Sequence, residues 1–207
     1  DDDHALQNLD QAIRLKPDYA DALWLRGRIY FDKKAYDRAI SDFEQVTKLK
    51  PDQGDVWLMT GNSYYNKRDY PHAIAAFAQL IRVEPDSSAA WNARGYSHDD
   101  NGDYDEAIHD YDQAIRLDPK NEIAWYNRGN AYRDKNQYAR AIQDYTQAIQ
   151  LNPKDAFAFN GRGQIYKRQA AFDRAIQDYD EAIRLNPNFA DAWNNRGNAY
   201  SDKADTQ

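Results

Sequence analysis

The sequence predicts an all-α chain organised as a helical-repeat solenoid. Two observations carry that reading. Prolines recur at Pro17, Pro51, Pro85, Pro119, Pro153 and Pro187, and glycines at Gly27, Gly61, Gly95, Gly129, Gly163 and Gly197, both on one 34-residue period. Two residue types locked to a single period of this size signal stacked supersecondary units. Between the markers, apolar and small residues fall at helical spacing, Leu23, Gly27 and Tyr30 on one stretch and Ala39, Phe43 and Val46 on the next.

The stretch from Glu122 to Pro153 states the pattern most fully. It carries Trp125, Arg128-Gly129, Tyr132, Tyr138, Ala141, Tyr145, Ala148 and Pro153. These residues in register resemble the tetratricopeptide repeat, and the resemblance covers the whole chain. It implies a right-handed superhelical solenoid of helix-turn-helix tetratricopeptide repeats, each a helix A, a short turn and a helix B, with the A helices lining a concave face.

Taken in order, residues 1–17 read as the second helix of a truncated repeat, since Ala5, Leu9 and Ala12 stand one period before Ala39, Phe43 and Val46. Asp1 to Asp3 place negative charge at that helix's N-terminus, where the backbone dipole favours it. Five full repeats follow at 20–53, 54–87, 88–121, 122–155 and 156–189. Residues 190–207 read as the first helix of a truncated repeat 6, with Trp193, Gly197 and Tyr200 in register. The whole reads as a segment of a longer array. The Gly and Ala positions are expected where two helix backbones approach closely, so that a larger side chain would overpack the contact by about 1–3 kcal/mol. Each periodic Pro ends a B helix, because it lacks the N–H and disfavours helix in the residue before it. Asp18, Asp52 and Asp86 follow a Pro and are expected to cap the next A helix. Lys33, Lys67 and Lys135 fall near the ends of A helices, favourable to the dipole, and Pro71 suits the first turn of a B helix. Arg26, Arg94, Arg128 and Arg162 precede the glycine, and Asp42, Asp110, Asp144 and Asp178 stand sixteen residues later. The second repeat has Thr60 and Ala76 instead, losing both members together. This pattern predicts an Arg–Asp bridge between helices A and B in four repeats, worth about 0–1 kcal/mol if exposed and more to remove if partly buried.

Composition narrows the functional classes. The chain has 207 residues, 42% of them hydrophobic, and a formal net charge of −7, which argues against nucleic acid as a main partner. With no cysteine there are neither disulfides nor thiolate metal sites. No apolar run is long enough for a membrane span, and the expectation is a soluble protein of unknown compartment. His4, His72, His98 and His109 show no helical metal-ligand spacing, and His98 stands where other repeats have Tyr64, Tyr132 and Tyr166, so it reads as a packed side chain. The stretch Asp99-Asp100-Asn101-Gly102-Asp103 has the look of a calcium loop, but aligning Gly102 puts Ser97 first and Ile108 where Glu is required. It reads instead as the turn of repeat three. No phosphate-cradling loop and no nucleophile with a base is present. The chain is read as not an enzyme, with no cofactor and no metal.

The resemblance places the binding positions on the A helices, since members of this family hold peptides on the concave face. Repeats one and two offer Trp24, Phe31, Leu58, Met59 and Tyr65, a set of large apolar groups. Repeats three to six offer Asn92, Tyr126, Asn127, Asn130, Asn160, Gln164, Asn194, Asn195 and Asn198. Amides donate and accept together, which suits an extended peptide backbone, at about 0.5–1.5 kcal/mol net per bond. Arg133, Lys167 and Arg168 form a basic cluster that suits an acidic side chain or C-terminal carboxylate. Against each stands a plainer alternative: packing between helices for the apolar set, local bonding or solvation for the amides, a solvated helix end for the cations. Co-chaperone members of the family clamp a terminal dicarboxylate with lysines. The matching helix-A position here holds Trp24, Leu58, Asn92, Tyr126, Asn160 and Asn194, so a receptor of that type is not expected. The functional expectation is a protein–protein interaction scaffold for an extended peptide or partner helix. The alternatives are a structural segment associating head-to-tail through complementary half-repeats, and a regulatory arm of a larger enzyme.

Overall fold

A computed structural model describes residues 2–206. Asp1, one of the three acidic residues assigned to the first helix terminus, lies outside them. Among the described residues there are twelve α-helices and no strand. The chain divides into two compact units, 1–103 and 104–207. The first holds α1 (Asp2–Leu15), α2 (Ala20–Asp32), α3 (Tyr36–Leu49), α4 (Gly54–Asn66), α5 (Tyr70–Val83) and α6 (Ser88–Asn101); the second holds α7 (Tyr104–Leu117), α8 (Glu122–Asp134), α9 (Tyr138–Leu151), α10 (Ala156–Arg168), α11 (Phe172–Leu185) and α12 (Ala190–Ala204). In each unit every helix packs on the next, and alternate helices also touch: α2 on α4 in the first unit, α10 on both α8 and α12 in the second.

Four of the periodic glycines seat aromatic rings, whereas a Cβ at Gly197, on the last helix, would meet nothing within 4 Å. A Cβ at Gly27 would lie 2.6 Å from the Phe43 ring, at Gly61 2.5 Å from Phe77, at Gly129 3.0 Å from Tyr145 and at Gly163 2.8 Å from Tyr179. The close approach expected there is therefore between a helix backbone and the ring of the following helix, not between two backbones. Phe43, Phe77, Tyr145 and Tyr179 are fully buried as a result, each contributing about 1.5–3 kcal/mol of apolar burial. The periodic prolines do more than stop a helix. The indole N–H groups of Trp57, Trp91, Trp125 and Trp193 donate to the carbonyls of Pro51, Pro85, Pro119 and Pro187 at 2.8–3.0 Å, so the interrepeat turn is tied to the helix it introduces.

Three of the predicted Arg–Asp bridges are present, and they are two-pronged. Arg26 donates to Asp42 at 2.8 and 2.6 Å, Arg128 to Asp144 at 2.8 Å twice, and Arg162 to Asp178 at 2.9 and 2.7 Å. The aspartates are buried, with 2–6% of their surface exposed, so these are partly buried pairs in which removing one partner is costly. The fourth predicted pair, Arg94 and Asp110, has one member in each unit. Each observed arginine also reaches back to the preceding helix, Arg26 to Asp10, Arg128 to Asp112 and Arg162 to the Thr146 hydroxyl.

The capping expectation is corrected. The N-caps of α2, α4 and α6 are Tyr19, Gln53 and Ser87, one residue beyond Asp18, Asp52 and Asp86. The chain makes a turn first, with the N–H of Gln53 donating to the Lys50 carbonyl at 3.3 Å and that of Ser87 to Glu84 at 3.2 Å, so Pro and Asp fill the two central turn positions, which suit both residue types. Among the A helices, side-chain caps occur where the residue after the two central turn positions is itself a capper, at Ser87, Asn121 and Asp155. Lys33, Lys67 and Lys135 occupy the C-caps of α2, α4 and α8, and Pro71 lies in the first turn of α5. Ser97, which a calcium loop would need as a ligand, is fully buried inside α6 and donates to the Ala93 carbonyl at 2.9 Å.

Candidate functional site

The A-helix positions divide by unit. In the first, α2, α4 and α6 form one layer. Tyr65 joins α4 to α6: its hydroxyl donates to Asp100 and its ring stacks on Tyr96 at 4.3 Å. Burial first, and then the Asp100 carboxylate, push that hydroxyl well above the ordinary tyrosine range, so it is held as a neutral donor. Trp24 and Phe31 are half-buried and pack on the cluster of Leu23, Phe43 and Val56, together with Met59. The Trp24 ring lies 5.4 Å from Phe43, and Phe31 meets Tyr36 edge-on at 5.5 Å. These aromatics thus divide between core and surface, whereas Leu58 has 36% of its surface exposed. Asn92 is half-buried on α6.

In the second unit, α8, α10 and α12 carry the amide-rich set. Asn130 accepts from the Tyr145 hydroxyl at 2.7 Å and from Arg133 at 3.3 Å. Asn160 is 7% exposed and accepts from the Asn195 side-chain amide at 3.0 Å. Both amides are therefore engaged with neighbouring side chains. Tyr126 is half-buried with its ring 5.8 Å from Tyr145; Asn127 and Gln164 are half-buried, and Asn194 and Asn198 are exposed. The basic residues differ too. Arg133 pairs with Asp134 at 2.8 Å and Lys167 with Asp202 at 3.1 Å. Burial of Arg133 works against its charge, but the Asp134 bond prevails and holds it above the ordinary value. Arg168 is exposed and, among the described residues, has no acidic partner.

Three residues on these A helices were not named as binding positions from the sequence: Asp100, Tyr96 and Asp202. A signal for two of them exists. Tyr65–Asp100 and Lys167–Asp202, like Asn160–Asn195, are pairs 35 residues apart, one repeat plus one residue, which is the register in which adjacent A helices meet. The described residues contain no cluster of His, Cys, Asp and Glu able to hold a metal ion and no helix long and apolar enough to cross a membrane.

A family model described as Tetratricopeptide repeat matches residues 3–54, 58–108 and 92–156, and one described as TPR repeat matches 171–203. Among solved structures, the chain is similar in fold to MamA (TM-score 0.73, 22% identity, 80% of this chain and 91% of that one) and to YrrB (TM-score 0.70, 18% identity, 90% and 96%). It is also similar to yeast Tom70 (TM-score 0.72, 21% identity), covering 97% of this chain and 43% of that one. A comparison with curated protein sequences found no match.

Proposed function

Since the chain belongs to the tetratricopeptide-repeat family, we propose that it is a protein-interaction scaffold that holds an extended peptide or partner helix on its A helices. The observation that carries this reading is the side-chain character of α10 and α12. Asn194 and Asn198 lie exposed one helical turn apart, Gln164 is half-exposed, and Arg168 stands at the end of α10 with no acidic partner among the described residues. Amides spaced along a helix face meet the alternating donors and acceptors of an extended backbone, and an uncompensated guanidinium suits a carboxylate. In the first unit Leu58 offers an exposed apolar contact on α4, which also carries the half-buried Tyr65. YrrB, a fold relative, is described as a TPR protein with an unusual peptide-binding site, which supports the general mode by analogy.

The test is selection of random dodecapeptides against the folded chain, followed by calorimetry on the strongest binder. Variants are confined to exposed positions: Leu58→Glu, Asn194→Ala with Asn198→Ala, and Arg168→Glu. Trp24 and Phe31 are avoided because truncating them opens the core. We expect the double amide variant to weaken binding by about 1–3 kcal/mol, two hydrogen bonds' worth, and Arg168→Glu to select against acidic peptides. Binding unchanged in all three variants would refute the A-helix site.

A further inference from the structure

The second repeat lacks the bridging pair of its sisters, with Thr60 and Ala76 in place of the Arg and Asp. The structure shows a pocket of about 440 Å³ there, between α3, α4 and α5, lined by Glu44, Trp57, Thr60, Tyr64, His72 and Ala76 among others. We propose that this pocket is a binding site for a guanidinium group, that is, for an arginine side chain presented from outside the chain.

The sister repeats show what such a group meets. Arg128 lies 4.8 Å from the Trp125 ring and 5.7 Å from Tyr132, and donates to Asp112 on the preceding helix at 2.6 Å. Arg196 lies 4.5 Å from Trp193 and donates to Asp180 at 2.5 Å. Arg26 lies 5.9 Å from Tyr30 and donates to Asp10 at 2.7 Å. One period along, the second repeat keeps the tryptophan, the tyrosine and the carboxylate of the preceding helix. Trp57 is fixed in the same way as Trp125 and Trp193, its indole N–H on the Pro51 carbonyl at 2.8 Å. Glu44 stands at the register position of Asp10, Asp112 and Asp180, and its carboxylate accepts from Tyr64 at 2.5 Å. In the sister pairs the tyrosine carries two guanidinium groups, as Tyr132 carries Arg128 and Arg140, and Tyr166 carries Arg162 and Arg174. Tyr64 keeps His72 stacked at 5.0 Å in place of the second. The first has given way to Thr60, whose hydroxyl turns back to the Val56 carbonyl at 2.7 Å.

The chemistry selects a planar cation. Aromatic faces attract it through their quadrupoles, the carboxylate supplies a charge-assisted acceptor, and the volume lies within the range of small-ligand pockets. Replacement of Asp by Ala76 removes the second carboxylate along with the internal arginine and leaves Glu44 as the acidic side chain lining the pocket. Lys48 also lines the pocket, but its register position is held by Arg14, Arg116 and Arg184 beside the filled boxes. Those arginines bond to Gln11, Gln113 and Glu181 of their own helices without displacing the bound guanidinium.

The experiment follows the indole N–H resonance of Trp57, assigned by its loss in Trp57→Phe, during titration of the full chain. The probes are N-acetyl-L-arginine amide, free L-arginine and, as the neutral near-isostere, N-acetyl-L-citrulline amide. A saturable shift with the arginine probes and none with the citrulline probe is expected, with Glu44→Gln weakening binding about tenfold. Thr60→Arg combined with Ala76→Asp, which restores the sister arrangement, should abolish the saturable shift and raise Tm. Tighter binding of the capped probe would identify arginine within a polypeptide as the source, and equal or tighter binding of free arginine the amino acid; either supports the site. A non-saturable response, an equal response to citrulline, or full binding in either variant would overturn it.

Discussion

Tyr145 and Tyr179 occupy the same register position one period apart, and their hydroxyls meet different surroundings. That of Tyr145 donates to Asn130 at 2.7 Å, whereas Gln164 stands one period after Asn130 and the buried Tyr179 hydroxyl has no hydrogen-bond partner among the described residues. Burial first, and then the charge of Asp178, raise the Tyr179 pKa above the ordinary range, so that hydroxyl stays neutral. Tyr145→Phe should cost about 1 kcal/mol in urea denaturation, while Tyr179→Phe, which removes an unsatisfied polar atom, should be neutral or stabilising. A second residue-scale contrast lies in the turns between paired helices. Lys34, Arg68, Gly102, Asn136 and Ala170 all adopt φ between 56° and 88°, again one period apart, and only Gly102 and, to a lesser degree, Asn136 are residue types suited to it. Ala170→Gly should stabilise by up to about 1 kcal/mol and Gly102→Ala should destabilise by a similar amount, read as opposite shifts in Tm. Asp69 caps α5 and is bonded to His72 through both the ring, at 2.8 Å, and the backbone N–H. Burial would raise its pKa, but the His72 bonds outweigh it and hold the carboxyl below the usual value. Its unfolded state therefore binds more protons through the acid range. The stabilisation is present above pH ~4 and is lost as pH falls through the lowered folded value. Melting curves of the wild type and Asp69→Asn should be separated at pH 6 and converge toward pH 2.5.

Between paired helices, the arginine ladder decides more than any surface ion pair. Arg128 ties α8 to α9 through the buried Asp144 and to α7 through the exposed Asp112. Arg128→Thr leaves Asp144 buried without its partner, which should cost roughly 3 kcal/mol. Adding Asp144→Ala, which copies the Thr60 and Ala76 of the second repeat, should recover part of that loss, so that the double variant is more stable than the single one in chemical denaturation. Such pairs were legible in the sequence because both members repeat at a fixed offset and vanish together in one repeat. The glycine contacts were legible as small-residue positions, but not what fills them: periodicity marks a close approach without saying whether a backbone or a ring makes it. The caps were misplaced by one residue because Pro and Asp suit the centre of a turn as well as a helix start. For the A-helix candidates, the repeat register placed each residue on its helix but not the state of its side chain. Trp24 turns into a core cluster and Asn160 bonds to Asn195, and each depends on a neighbouring helix a full repeat away.

At the scale of the molecule, the bonds that hold each unit together have short reach. Most interhelix ties join residues 16, 30 or 35 positions apart, as in Arg162–Asp178, Lys135–Asp105 and Asn160–Asn195, others such as Tyr145–Asn130 and Tyr64–Glu44 are 15 and 20 apart, and within each unit every helix packs on the next. Among the described residues the buried hydrophobic side chains form several separate clusters. In such a chain stability is a sum of repeat and nearest-neighbour contributions, and local opening need not become global. Gly61→Val gives a direct test. Its Cβ would lie 2.5 Å from the Phe77 ring, an overpacking that should cost about 1–3 kcal/mol. Native-state hydrogen exchange should then show lost protection in α4 and α5, with the amides of α10 and α11 within a few-fold of their wild-type rates. Gly163→Val, pressed against Tyr179 in the same way, should reverse the pattern. Uniform loss of protection along the chain in either variant would mean that the two units unfold as one cooperative body, and the nearest-neighbour account would fail.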